Sequence, residues 1–355
     1  MRGAIILAGG QSSRFQDGSG QWLDKALAVL SGKPLLAHIV ENVKPVVDEI
    51  IICVNDATRG FHYLKIMEEY LITNVKTCID IKFPHIQGPF AAIATGLKGV
   101  NADYCIIVPC DMPFIRPSVV DYLLKLVEKL DTCVPIHPDG NIETLMFSCK
   151  REGTAKVAEV LCLLGRSRPV DIMRASSKIK FVSTVSELRK IDPGLKSFIN
   201  INFRSDLINL PIRVPREGPI TKSIELNLMQ PSSLELHLLE SIARKYANEE
   251  YLEIIDDLSE ILSNFERKGF NFWEGVLWET LGKIYRKLAL SREKSDEIKE
   301  HYIRSGEAFE RAALEYAMEA SIYEEKQIKF LLESTWKDRK WCSIKRDEVA
   351  TLYPE

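Results

Sequence analysis

Apolar residues recur along this chain with two different periods, and the change of period divides it. As far as Leu210, short apolar runs alternate with amphipathic stretches. Ala4–Ala8 reads as a buried strand, and so do Glu49–Val54, Cys105–Val108 and Thr132–Ile136, with a shorter strand at Lys76–Ile79 that ends at Asp80. Between them the spacing predicts helices over Leu35–Val47 (behind Pro34), Tyr63–Leu71, Leu123–Leu130 and Ala155–Leu164. This alternation points to the α/β class: a Rossmann-like, doubly wound, mostly parallel sheet. In such sheets ligands sit at the carboxyl ends of the strands.

The pattern then changes. Leu210–Pro219 (LPIRVPREGP) is a proline-rich connector, and beyond it strand-like runs vanish while Glu, Lys, Leu, Ala and Tyr dominate. Ser232 and Ser233 precede an amphipathic helix through Leu234, Leu238, Leu239, Ile242 and Tyr246. Further helices are expected at Glu250–Glu266, Phe272–Leu290, Ile298–Met318 and Ile322–Thr335. Trp278-x-x-Leu281-Gly282-x-x-Tyr285 fits the tetratricopeptide opening, and Ser305-x3-Phe309-x2-Ala312 is similar to its second helix. The gap around Ser291–Glu300 is too long for a regular repeat, so one degenerate unit and a plain helical bundle both fit. Helical hairpins of this kind usually dock a protein partner or a second subunit. The expected organisation is an α/β domain over 1–210, a linker over 211–219 and an all-α domain over 220–355.

At 355 residues the chain has ample core for two domains. A net charge of −3 and the lack of a long basic tract argue against nucleic acid as a partner. The eight cysteines include no C-x-x-C pair and no zinc-type spacing with His. Cys53, Cys105, Cys110 and Cys149 lie in apolar runs, as small buried hydrophobes do, which fits a reducing cytoplasm. The first apolar run is too short for a signal peptide, and no stretch approaches the ~20 apolar residues of a membrane span. A soluble, cytoplasmic protein is the expectation, with no membrane partner.

The candidate chemistry gathers at strand ends. After Ala4–Ala8 come Gly9 and Gly10, then a Gly-, Ser- and Gln-rich loop carrying Arg14, with Lys25 at its end. Glycines permit close approach, successive backbone N–H groups form an anion nest, and two cations offset charge. A phosphate loop and an ordinary strand-to-loop turn both fit these residues. Gly88-Pro89 opens a small-residue helix, which reads either as an anion site or as a well-packed helix start. Pro109-Cys110-Asp111-Met112-Pro113 projects one carboxylate from a strand end between prolines. Asp111 suits Mg²⁺, which takes few protein oxygens, and equally suits the cap of the following helix. His137-Pro138-Asp139-Gly140 reads as a turn. Arg166 and Arg168 lie on a Gly-started loop that would either grip a phosphate or pterin group or stand solvated. Asn200 and Asn202, read as part of an alternating β segment, would face one side. His237 and His301 are isolated and read as surface residues.

Leu7-Ala8-Gly9-Gly10-Gln11-Ser12-Ser13-Arg14-Phe15, Asp24-Lys25-Ala26-Leu27 and Gly32-Lys33-Pro34-Leu35-Leu36 together resemble the opening of the nucleotidyltransferases that make activated sugars and nucleotide-modified cofactors. The Gly88–Gly96 segment, Pro109–Phe114, Gly165–Val170 and Phe198–Leu207 are similar to later motifs of the same family. The resemblance covers Met1 to Leu210 and is strongest to the molybdenum cofactor guanylyltransferases of the MobA type. This sequence departs from their pattern in a longer loop over Gln16–Leu23, in Phe90 and Ala92, and in Glu143-Thr144-Leu145 where a histidine-bearing segment is usual.

The resemblance implies transfer of GMP from GTP to molybdopterin, with Mg²⁺ and with release of pyrophosphate. It implies catalytic roles for Lys25, Asp111 and Arg14. Nucleotide contacts would come from Leu7, Ala8, Gly9, Gly10, Lys25, Asn55, Asp80, Gly88 and Asp111. Acceptor contacts would come from Arg166, Arg168, Asn200 and Asn202, and metal contacts from Asp111 and Asn202. A cytidylyl or other small-molecule transferase is the alternative, and a non-catalytic scaffold acting through the helical half is the further one.

Overall fold

The computed structural model describes residues 1–16, 23–84, 86, 88–210, 217–266, 268–291 and 294–352. Most of the inserted stretch Gln16–Leu23, Gln87 beside the Gly88-Pro89 turn, and residues 211–216 of the connector lie outside them. The chain forms two compact units, Met1–Met173 with Lys178–Leu226, and Arg174–Ser177 with Asn227–Glu355.

The elements of the first unit are β1 (Arg2–Leu7), a small hairpin β2 (Val29–Leu30) and β3 (Lys33–Pro34), α1 (Leu35–Val43), β4 (Glu49–Val54), α2 (Ala57–Glu69), β5 (Val75–Ile79), α3 (Pro89–Gly99), β6 (Tyr104–Pro109), α4 (Pro117–Val127), β7 (Thr132–Ile136), β8 (Phe147–Lys150), α5 (Arg151–Leu163), α6 (Val170–Arg174, its last residue in the second unit), β9 (Lys178–Ser183), the short α7 (Arg189–Ile191) and β10 (Ile224–Asn227, likewise ending in the second unit). Eight strands form one sheet in the order β10-β9-β7-β8-β6-β1-β4-β5. β1 pairs in parallel with both β4 and β6, while β8 runs antiparallel to β6 and β7. The strands β1, β4, β5, β6, β7 and β9 therefore all deliver their carboxyl ends to one edge. β4 is buried along its whole length, because helices cover both faces of the sheet's centre, and this is why it reads as an unbroken apolar run.

Helix starts move where capping chemistry competes with periodicity. α2 begins at Ala57, ahead of the apolar periodicity, because the Asp56 side chain accepts from the Arg59 N–H at 2.8 Å. Two strands carry too little periodicity to be read: β8 and β10 hold only four residues each. The expectation that strands end at the connector is corrected by β10, which adds to the sheet beyond it, so the compact first unit runs to Leu226. The expected β segment at Asn200 and Asn202 is also corrected: these residues lie in an irregular stretch between 3₁₀ turns at Lys196–Phe198 and Arg204–Leu207.

The second unit contains α8 (Ser233–Ala247), α9 (Tyr251–Phe265), α10 (Asn271–Leu290), α11 (Ser295–Glu325) and α12 (Lys329–Leu352). Ser232 and Glu235 form a reciprocal capping box at the start of α8. The tetratricopeptide-like residues meet at the crossing of α10 and α11. The Ser305 hydroxyl donates to the Gly282 carbonyl at 2.8 Å, and a Cβ on Gly282 would stand 2.8 Å from the Phe309 ring. The expected final helix over Ile322–Thr335 is corrected: α11 runs on to Glu325, the chain reverses through Gln327 at φ 58°, and α12 carries on to Leu352. Within this unit Arg174 is fully buried. It pairs with Glu319 at 2.7 and 2.5 Å and with Asp338 at 2.6 Å, and its guanidinium lies over the Phe272 and Tyr316 rings. No helix among the described residues is long and apolar enough to cross a membrane.

Candidate active site

The residues leaving β1, β4, β5 and β6 keep the sheet's hydrogen-bonding pattern past the strand ends. Cys110 N–H donates to the Leu7 carbonyl at 3.1 Å, Ala8 N–H to Cys53 at 3.0 Å, and Asp80 N–H to Val54 at 2.8 Å. Gly9, Asn55, Asp80 and Asp111 are thus carried to the same edge. A Cβ on Gly9 would lie 2.8 Å from Asp80 Oδ2 and 3.2 Å from the Asn55 backbone nitrogen, so a side chain there would have to displace Asp80 and crowd the Asn55 backbone. Gly88 precedes α3 with φ 105° and ψ −168°, a backbone conformation that favours glycine, and leaves the helix N-terminus without a side-chain cap.

Lys25 lies on a 3₁₀ turn (Lys25–Leu27) capped by Asp24, whose Oδ1 accepts from Ala26 N–H at 3.1 Å. Its Nζ donates to Asp111 Oδ2 at 2.8 Å and to Asn202 Oδ1 at 3.3 Å. The Lys25 and Asp111 side chains are 11% and 24% exposed, so the pair sits in a partly dry crevice that still opens to solvent. Two backbone contacts hold the arrangement. Ile201 N–H donates to the Asp111 carbonyl at 2.9 Å, and Asp206 Oδ2 accepts from Asn202 N–H at 2.7 Å and Phe203 N–H at 2.8 Å. The helix-cap alternative for Asp111 is corrected, because the N-cap position of α4 is Arg116 and no side chain bonds there.

The donor set suits a hard divalent cation. One carboxylate oxygen and one amide oxygen converge on the same ammonium, and no cluster of three His, Cys, Asp or Glu side chains occurs among the described residues. A cation with few protein ligands that takes the rest of its shell from water and phosphate fits this set; a caged cation does not. Asp111 and Asn202 would hold it.

A second network, missed from the sequence, lies under the glycine loop. Arg59, on the first turn of α2, donates through Nε to Asp24 Oδ2 at 2.8 Å, through Nη1 to Asn55 Oδ1 at 3.1 Å and through Nη2 to the Gly10 carbonyl at 3.2 Å. The Tyr63 hydroxyl lies 2.8 Å from Asp24 Oδ2 and 3.2 Å from the Ala8 carbonyl. Arg59 and Tyr63 are buried. The only cue in the sequence is the Asp56 cap that fixes the start of α2. Asp24, Asn55 and Arg59 also line an open cleft of about 710 Å³ with Gln11, Phe15 and Arg204, within the size range of small-molecule sites.

Asp80 is the outlier in electrostatics. Burial pushes its carboxyl up to about 6, with the Arg59 charge working the other way, and its Oδ1 is buried with no hydrogen-bond partner. Burial likewise pushes the Cys110 thiol beside Asp111 up to about 12.

The other candidates read from the sequence separate. Arg14 is exposed on the 3₁₀ turn Ser13–Phe15. Arg166, 7% exposed, pairs through Nε and Nη2 with Asp171 at 3.0 and 3.3 Å, and Arg168, 31% exposed, reaches the same carboxylate at 3.2 Å. Asn202 joins Lys25, whereas Asn200 is half-buried beside it in sequence. His137 is no plain turn residue: it is buried, its Nε2 lies 2.7 Å from Glu143 Oε1, and its ring meets Phe198 edge-on. Glu143, which stands in the altered segment, therefore packs onto the histidine of the preceding turn.

Residues 4–179 match the profile of the MobA-like NTP transferase domain. The probable molybdenum cofactor guanylyltransferase of Methanosarcina acetivorans is 29% identical over 206 residues, which is 58% of this chain and 88% of that one. The molybdenum cofactor guanylyltransferase of Desulfosudis oleivorans is 31% identical over 206 residues, covering 57% of this chain and 91% of that one. Among solved structures, the molybdopterin-guanine dinucleotide biosynthesis protein A of Archaeoglobus fulgidus is 24% identical, covers 58% of this chain and 95% of that one, and has a TM-score of 0.46.

Proposed function

Since the chain belongs to the MobA-like NTP transferase family, whose members are nucleotidyltransferases, we propose that it transfers GMP from GTP to the phosphate of molybdopterin and releases pyrophosphate. The observation that carries this reading is the convergence of Lys25, Asp111 and Asn202 at the carboxyl edge of the sheet, beside a glycine loop and an uncapped helix N-terminus. Nucleotidyl transfer asks for that combination. An acceptor phosphate oxygen forms a bond to the α-phosphorus while the bond from that phosphorus to the bridging oxygen of pyrophosphate breaks. The attacking phosphate is already anionic, so positioning and charge neutralisation matter more than a general base.

In this reading the Leu7–Gly10 backbone and Gly88 hold the nucleotide, and Lys25 leaves Asp111 to meet the triphosphate. Arg14, exposed on the loop, adds charge to the same phosphates. Mg²⁺ on Asp111 and Asn202 would neutralise the charge that builds on the phosphate oxygens. Asn55 and Asp80 face the nucleoside. The names of the two relatives support the same donor and acceptor. Asn200, Asn202 and the exposed part of Arg168 are the acceptor-side residues.

A nucleotide panel tests the reading. GTP, CTP, ATP and UTP are each added to the full chain with and without Mg²⁺, and the melting midpoint is followed. At ~100 times its dissociation constant a ligand adds ~2.7 kcal/mol of stability. A rise with GTP and Mg²⁺ alone is expected. A rise with CTP instead moves the assignment to cytidylyl transfer, and no rise with any nucleotide removes the enzyme reading in favour of a scaffold.

A further inference from the structure

Cys53 and Cys78 stand opposite each other on the neighbouring parallel strands β4 and β5, and their sulfur atoms are 3.3 Å apart. We propose that they form a reversible disulfide, a modification site that ties the edge strand β5 to β4 beneath Asn55 and Asp80. Register partners on adjacent strands lie ~4.8 Å apart, inside the ~4.4–6.8 Å separation of α-carbons that disulfides span. The sulfurs already face each other, so closure needs side-chain rotation and no strand movement.

Access separates this pair from the other register partners. Cys105 and Cys149 also face each other, on β6 and β8, but both are 0% exposed in the middle of the sheet. β5 is the last strand of the sheet, and Cys78 on it is only half-buried. Oxidation therefore starts at Cys78. Its thiolate attacks one sulfur of a small-molecule disulfide such as oxidised glutathione and expels one thiol. Cys53, after losing its proton to solvent hydroxide, attacks the Cys78 sulfur of the mixed disulfide and expels the second thiol. The two protein thiols give up two electrons and two protons in all, and the small disulfide is reduced to two thiols. The contact with Cys78 and burial hold the Cys53 thiol well above the usual range, so the second step is slow, on the scale of minutes to hours.

The disulfide does not depend on which nucleotide the site takes. The full chain is incubated with oxidised or reduced glutathione, quenched in acid, alkylated in denaturant, digested and mapped by mass spectrometry. The oxidised sample is expected to contain one cross-linked peptide pair joining Cys53 to Cys78, released by reductant, with the other six cysteines alkylated. The melting midpoint of the wild type should rise by a few degrees on oxidation, and that of Cys78→Ala should not move. Recovery of both residues as free thiols, a glutathione adduct on Cys78 that never resolves, or a cross-link between other cysteines overturns the proposal.

Discussion

Lys25 donates to Asp111 across 2.8 Å although 86 positions separate them in the chain. The ammonium occupies the place between Asp111 and Asn202 where a divalent cation would be held, so the unliganded site carries its own counter-charge. In the proposed reading, nucleotide binding moves this ammonium onto the phosphates. Lys25→Ala and Asp111→Asn should each lower the turnover rate by roughly 10²–10⁴-fold, the scale of losing one charge-stabilising group. The pair opens to solvent, so the folding stability of both variants should stay within about 1 kcal/mol of the wild type. Steady-state rates together with thermal melts check both parts.

Asp80 gives a pH signature. Its carboxyl is pushed up to about 6 in the folded chain from an ordinary value of 3.8, so the folded state holds the proton more tightly than the unfolded chain does. The stability this group contributes is full below about pH 4 and is lost as pH rises through about 6. In the proposed reading, in contrast, Asp80 faces the nucleoside, and its ionised form is the stronger hydrogen-bond acceptor. Affinity for GTP should therefore rise between about pH 5 and 7, the change should vanish in Asp80→Asn, and that variant should melt higher than the wild type at pH 8 in the absence of nucleotide. Fluorescence titrations and melts across this range check it.

Arg59 is the support of the glycine loop. Arg59→Ala leaves the Asp24 carboxylate, whose side chain is 11% exposed, without its cation and frees the Gly10 carbonyl. A loss of about 3–5 kcal/mol in stability is expected, the cost of orphaning one partner of a buried pair. GTP should also bind more weakly, because the Gly9–Gly10 backbone loses its anchor. Urea unfolding and a GTP titration of the same variant measure the two effects separately.

The two loop arginines should behave differently. Arg166 is buried against Asp171, whose side chain is 0% exposed, so Arg166→Ala should appear as a fall in stability. Arg168 keeps 31% of its side chain exposed, and Arg168→Ala should raise KM for the acceptor with little change in the melting midpoint. Kinetics at varied acceptor concentration, set beside thermal melts, distinguish them.

The strand-end positions of Asp111, Asn55 and Asp80 were legible in the sequence because an apolar run that stops at a carboxylate or an amide is a local pattern. The α/β class was legible for the same reason. Arg59 and Arg174 were not. Each looks like an ordinary helix charge, and what removes it from water lies far along the chain: Asp24 is 35 positions from Arg59, and Glu319 and Asp338 are 145 and 164 positions from Arg174. Periodicity also fails where strands are short. β8 and β10 hold four residues each, too few to show an alternation. The pairing of His137 with Glu143 was hidden by a bend that returns the chain through an isolated bridge between Ile136 and Ile142. The helix expected over Ile322–Thr335 failed because neither Gly nor Pro marks the reversal at Gln327.

The most direct measurement is a turnover assay on the full chain with GTP labelled at the α-phosphate, molybdopterin and Mg²⁺. The expected result is label carried into the dinucleotide product with one pyrophosphate released per label transferred, and both products formed roughly 10²–10⁴-fold more slowly by Asp111→Asn. Pyrophosphate release without labelled product, or full transfer by Asp111→Asn, would contradict GMP transfer at the Lys25–Asp111 site.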